Sequence, residues 1–257
     1  MMHCDASGAV LCGKACPLSA TMLDGKPRGC TVFFRHKHGY RVPVQVRARP
    51  IYDAAGVLVG AVEIFEEMAA ARHEKTHPLE AFECLDELTG AARRDYGEMK
   101  LAHELEALNR FGIPLGWLRI ELDGIEELEH RYGHGMIDTA SKLIAGTVDA
   151  NVGVLDVFTC WGRAQFRLAA HNCSRQMLAE LAQKLVTLVN SSNLEWWGDP
   201  LRITVSIAGE LAERGDSLEL LEARTAAAFA RCRARGGNRA AVLHCAIDCA
   251  PDCLGCK

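Results

Sequence analysis

From residue 94 to residue 243 the chain alternates helical-period stretches with short apolar runs, and this alternation restricts it to an α/β arrangement. Met99, Leu101, Leu105 and Leu108 mark a helix over 94–110. A strand is expected at 115–122, then helices over 125–148 and 175–190, a strand at 202–208, a helix over 218–235 and a last short strand at 240–243. Two further apolar runs, 154–160 and 166–170, flank the turn Trp161-Gly162-Arg163-Ala164-Gln165-Phe166, which reads as a β-hairpin with Gly162 near its tip. One connection is therefore a hairpin, and the sheet must be mixed. The expected architecture is an α/β (α+β) sandwich, a mixed central sheet flanked by helices.

The amino-terminal part has a different period. Runs at 30–35, 41–50 and 57–65 are separated by the turn signals His38-Gly39 and Asp53-Ala54-Ala55-Gly56, which predicts an antiparallel three-stranded meander. Val42, Val44 and Val46 alternate with Arg41, Gln45, Arg47 and Arg49, as in a sheet with one dry and one wet face. Three strands alone cover their apolar face poorly, so self-association through this region is expected. Residues 67–85 read as a helical linker with a break at Pro78.

Charge excludes some functions. With 29 basic and 33 acidic residues the net charge is -4, which gives no field for nucleic acid or anionic lipid. No apolar run of roughly 18 residues is present, and the first residues are broken by His3, Asp5, Lys14 and Pro17, so a cytoplasmic protein is expected. In that compartment the 12 cysteines are not read as a disulfide framework.

The stretch from His36 to Glu67 resembles the last three strands of a PAS sensor domain, which makes residues 1–66 a partial PAS-like module. From 86 to 243 the landmarks resemble a GGDEF domain, the catalytic domain of diguanylate cyclases: Asp86-Glu87-Leu88-Thr89-Gly90, Tyr132-Gly133-His134 with Asp138, Ile203 to Ala208, and Arg235-Gly236-Gly237-Asn238-Arg239. The hairpin sits where that family carries its signature, here Gly162-Arg163-Ala164-Gln165-Phe166.

The resemblance implies a site that binds GTP with magnesium between the first strand and the hairpin. Two carboxylates would hold the metal over the phosphates. The first falls on Glu121, and the hairpin's acidic pair becomes Ala164 and Gln165. Asp123 follows Glu121 in the same motif. The guanine-reading asparagine falls on Glu129, its partner acid survives as Asp138, the phosphate-facing lysine becomes Glu126, and Arg233 stands in for a cationic phosphate contact. At the family's inhibitory product site the arginine is replaced, in Gly153-Val154-Leu155-Asp156. These losses together imply a degenerate GGDEF domain without cyclase activity, acting by binding GTP, cyclic di-GMP, a partner cyclase or another effector, and dimerising through the PAS and linker regions. An active diguanylate cyclase is the alternative.

A third reading comes from the carboxyl terminus. In residues 244–257, Cys245, Cys249, Cys253 and Cys256 are close enough to hold zinc or an iron-sulfur cluster, which would make the chain a metal or redox sensor. Cys4, Cys12, Cys16 and Cys30 form a second group at the front.

Overall fold

The computed structural model describes residues 3–12, 15–68, 84–192 and 194–243. Most of the expected linker, and all four cysteines of the carboxyl-terminal cluster, lie outside the described residues.

The expected meander is present. Strands β1 (Arg28–Arg35), β2 (Arg41–Tyr52) and β3 (Leu58–Glu67) form an antiparallel sheet in sequence order. The odd and even positions of β2 take opposite faces: Val44 and Val46 are buried with Val32, whereas Arg47 and Arg49 are exposed. Helix α1 (Pro17–Asp24) lies across the sheet, and Leu11 and His3 add cover, the His3 ring stacking on Phe34 at 4.7 Å.

The second unit is a six-stranded mixed sheet. Its strands are β4 (Ala92–Arg93), β5 (Leu115–Leu122), β6 (Val157–Gly162), β7 (Gln165–His171), β10 (Val205–Leu211) and β11 (Ala240–Val242). Their order is β11-β10-β5-β7-β6-β4, with β5 antiparallel to both its neighbours and parallel pairs at the two edges. A separate hairpin, β8 (Leu194–Trp196) and β9 (Asp199–Leu201), precedes β10; its tip, Trp197-Gly198, has φ 54° and 91°. The strand expected at 202–208 begins at Val205, because Arg202 to Thr204 connect this hairpin to the sheet.

One face of the sheet is covered by α3 (Ile125–Tyr132), α4 (His134–Asp149) and α5 (Arg175–Asn190). The other is covered by α2 (Arg94–Phe111) and α6 (Leu218–Ala234). Helix α4 repeats Met136, Ile137, Ala140, Leu143, Ile144 and Val148 at helical spacing and packs them on Leu118, Ile120, Phe166 and Leu168. Ser174 and Ser217 cap α5 and α6, their hydroxyls accepting from the Met177 and Leu220 amides. The single helix expected over 125–148 is two helices, because the backbone at Gly133 (φ 81°, ψ 175°) leaves the helical region.

The two units meet along a built interface. Tyr40 lies on α4 at Gly146, where a Cβ would stand 2.7 Å from the ring, so glycine is what admits the tyrosine. Arg41 is 5% exposed and its Nη2 donates to Ser191 O at 3.3 Å, placing a cation at the negative end of α5. Asn151, just past α4, donates from Nδ2 to Arg41 O at 3.4 Å and to Thr147 O at 2.7 Å. Cys4, Phe33 and Leu188 form a small buried cluster beside these contacts, and Arg35 pairs with Glu195 at 3.0 Å.

Candidate functional site

The hairpin turn is tight. Gly162 faces Gln165 across the ladder, leaving Arg163 and Ala164 as the two loop residues, and Ala164 takes the left-handed region at φ 52°. That conformation is unfavourable for a residue with a Cβ by roughly 1 kcal/mol. Burial offsets it: Ala164 is 1% exposed, packs in the main core, and its carbonyl accepts from Leu122 N at 3.1 Å.

Arg163 points across the cleft to α3. Its Nη1 donates to Glu129 Oε1, and His134 Nδ1 contacts the same oxygen. The guanidinium hydrogen bond is the main reason the Glu129 carboxyl is held below the ordinary carboxylate range, with the Arg163 charge and His134 adding to it. Glu126, with Glu127, occupies the first turn of α3 and adds negative charge there.

Glu121 and Gln165 face each other on β5 and β7, but the Glu121 carboxylate is engaged inside the protein. Glu121 is 6% exposed; Arg119 Nε donates to it at 2.6 Å, and Arg167 Nη1 lies 3.7 Å away. Arg167 is itself buried and binds Glu222 of α6 through Nε at 2.7 Å and Nη2 at 2.9 Å. Trp117 Nε1 donates to the same Glu222 at 3.0 Å. A divalent cation at Glu121 would have to displace these guanidinium contacts.

Asp123 is committed to the fold as well. Its Oδ2 accepts from Thr204 Oγ1 and from Asn238 N, both at 2.8 Å, and its Oδ1 from Ser206 Oγ at 2.6 Å. Gly237 lies directly against it, since a Cβ there would fall 2.8 Å from the carboxylate. Arg233 is exposed in the last turn of α6, and its carbonyl accepts from Gly236 N.

Between the hairpin and α4 is a cavity of about 360 Å3 lined by Asp86, Thr89, Arg93, Arg94, Asp138, Ser141, Cys160 and Arg163. Of the expected base-reading residues, Asp138 lines this cavity, while Glu129 is drawn to Arg163. Arg93, Arg94 and Cys160 are lining residues that the sequence reading did not single out; the doubled arginine next to Leu88-Thr89-Gly90 was the available signal. Arg94 packs its guanidinium 4.3 Å from the Trp161 ring, with Arg167 at 4.8 Å from that ring's centre. Burial pushes the Cys160 thiol up, so it stays protonated near neutrality. Among the described residues no group of three or more His, Cys, Asp or Glu is placed to hold a metal ion, and no helix is long and apolar enough to cross a membrane.

Comparison with known proteins agrees with this architecture. The family profile described as "Diguanylate cyclase, GGDEF domain" matches residues 83–248. The diguanylate cyclase DgcP of Pseudomonas aeruginosa is 24% identical over 182 residues, covering 71% of this chain and 27% of that protein. The diguanylate cyclase DosC of Escherichia coli is 24% identical over 178 residues, covering 69% of this chain and 36% of that protein. The chain thus spans about a third of the length of these curated relatives. The coiled coil and GGDEF domain of DgcB from Caulobacter crescentus, solved with c-di-GMP, superposes with TM-score 0.61 at 18% identity over 64% of this chain and 88% of that one. The diguanylate cyclase SiaD of Pseudomonas aeruginosa, solved with its activator SiaC, gives 0.62 at 19% identity over 64% of each chain. Matched over more than half its length by the family profile, and carrying that family's mixed sheet and hairpin, the chain belongs to the GGDEF diguanylate cyclase domain family.

Proposed function

We propose that this protein is a cytoplasmic signalling component whose GGDEF domain works by binding rather than by making cyclic di-GMP. The observation that carries this reading is the Arg163 to Glu129 pair: a side chain from the signature turn and a side chain at the guanine-reading position satisfy each other across the cleft. Three further features support it. Ala164 offers no metal ligand, Gln165 offers one neutral oxygen, and Glu121 is neutralised by Arg119 and Arg167. Joining two GTP molecules requires their phosphate charge to be neutralised and a hydroxyl to be activated, and the residues at these positions do neither.

In this reading the amino-terminal PAS-like sheet is the input, fixed to the output domain through Tyr40 and Arg41, and the protein acts as a homodimer. The ligand or partner is a guanine nucleotide, cyclic di-GMP, or another signalling protein. The solved relatives include one bound to c-di-GMP and one bound to a protein activator, so both types of partner occur on this fold. The carboxyl-terminal cysteines add a metal-binding function in the same proposal, tested by zinc and iron content of the purified protein.

Incubation of the purified protein with GTP and magnesium or manganese tests the main reading. The expected result is no cyclic di-GMP by chromatography; product at the turnover of an ordinary diguanylate cyclase would overturn it.

A further inference from the structure

Among the described residues, the amino-terminal sheet ends in an open edge. There β3 pairs only with β2, and Val62, Ile64 and Phe65, with exposures of 43%, 52% and 51%, are its large apolar residues in water. Val59 and Met68 at its two ends are exposed as well. A ten-residue edge with this composition is a pairing surface unless it is blocked.

The direction of its free groups can be read from the ladder. Met68 N donates to Pro43 O, so the even positions of β3 turn their hydrogen-bonding groups toward β2. Ala61, Glu63 and Phe65 therefore turn theirs outward.

We infer that the partner of this edge is a second copy of the same chain, paired antiparallel about a two-fold axis at Val62, so that two three-stranded sheets become one of six strands. The inference rests on the dimeric reading above and assigns its interface. Centring on Val62 aligns the strand end to end, Leu58 opposite Glu66. It sets Val62 against Val62 of the second copy, Ile64 against Gly60, Phe65 against Val59, and Glu63 against Ala61. Every exposed large side chain of the strand then meets an apolar neighbour, and no like charges face. Moving the axis to Glu63 would put the two Glu63 carboxylates opposite each other. Moving it to Ala61 would leave Phe65 beyond the strand, against the start of the turn at Val57.

The test uses the full chain and reads mass by sedimentation equilibrium and light scattering over a concentration series. Wild type is expected to be a dimer. Val62→Lys and Val62→Glu each place like charges on the axis and are expected to raise the dimer dissociation constant at least about 10-fold, with unchanged circular dichroism. An equimolar mixture of the two variants is expected to recover the dimer, because residue 62 then meets its opposite charge. A monomeric wild type would overturn both the dimeric reading and this interface. A dimer that survives in both single variants would place the contact elsewhere while leaving the dimer standing. Failure of the mixture to recover would overturn the Val62 axis. None of these outcomes depends on GTP turnover.

Discussion

Arg163 at the hairpin tip donates to Glu129 of α3, 34 positions earlier in the chain, and the two close the cleft from opposite walls. Either residue alone leaves a charge facing the cleft. Arg163→Gly should therefore open it: calorimetry is expected to show tighter GTP binding in the variant than in wild type, without any cyclic di-GMP. Because the pair is partly exposed, the thermal midpoint should hardly move.

The same pair has a defined pH response. The Glu129 carboxyl is depressed by the Arg163 hydrogen bond, so the stabilising contact is fully present above the ordinary carboxylate range and is lost only as pH falls through the lowered value. In a carbon-detected NMR titration Glu129 should remain ionised at pH values where exposed glutamates are already half protonated. Arg163→Gly should return its titration toward the ordinary range.

Asp123 anchors two separate segments, one through Thr204 and Ser206 and the other through Asn238. Asp123→Ala leaves two hydroxyls and one amide unpaired, and should destabilise the protein by about 2–4 kcal/mol. Urea unfolding measures this; a change under about 0.5 kcal/mol would show that the carboxylate is dispensable to the fold.

Arg167 is the center of the buried charge group. Arg167→Met removes both guanidinium bonds to Glu222 and should cost about 3–5 kcal/mol in urea unfolding, while Glu121 keeps its bond from Arg119. Adding Glu222→Met should recover part of that loss, since the stranded carboxylate is then gone. A double-mutant cycle without coupling would contradict the geometry.

Gly146→Ala tests the junction of the two units. The added Cβ would fall 2.7 Å from Tyr40 Cδ1, and overpacking of this kind costs about 1–3 kcal/mol. Hydrogen exchange should rise in β1 and β2 and stay unchanged in β7.

Much of this architecture was legible in the sequence. The three amino-terminal strands, the alternation after Arg94 and the hairpin at 161–166 follow from hydrophobic period and turn residues, and the structure has them within a few positions. Gly133 was misread because the apolar period of α4 continues that of α3 across it. At the site, Arg163 stands in the altered turn and Glu129 at the changed guanine-reading position, 34 residues apart. Their opposite charges were the available clue that they answer each other, but only the fold brings them together. Asp123 groups with the nucleotide contacts because it lies two residues after Glu121 in the same motif; its hydroxyl partners, Thr204 just before β10 and Ser206 within it, come some 80 positions later, a distance local pattern does not span. Tyr40 on Gly146 is likewise a fit between surfaces, visible only once both are built.

That last fit gives the sheet a second consequence. Arg41 supplies the terminal carbonyl partner of α5, and Asn151 ties the end of α4 to the same strand. One helix, α5, is thus finished by a residue of the amino-terminal sheet, and a second, α4, is tied to the same residue through Asn151. If the sheet opens away from the helices, the carbonyl end of α5 loses its cation, so the stability of one unit is linked to the docking of the other through Arg41.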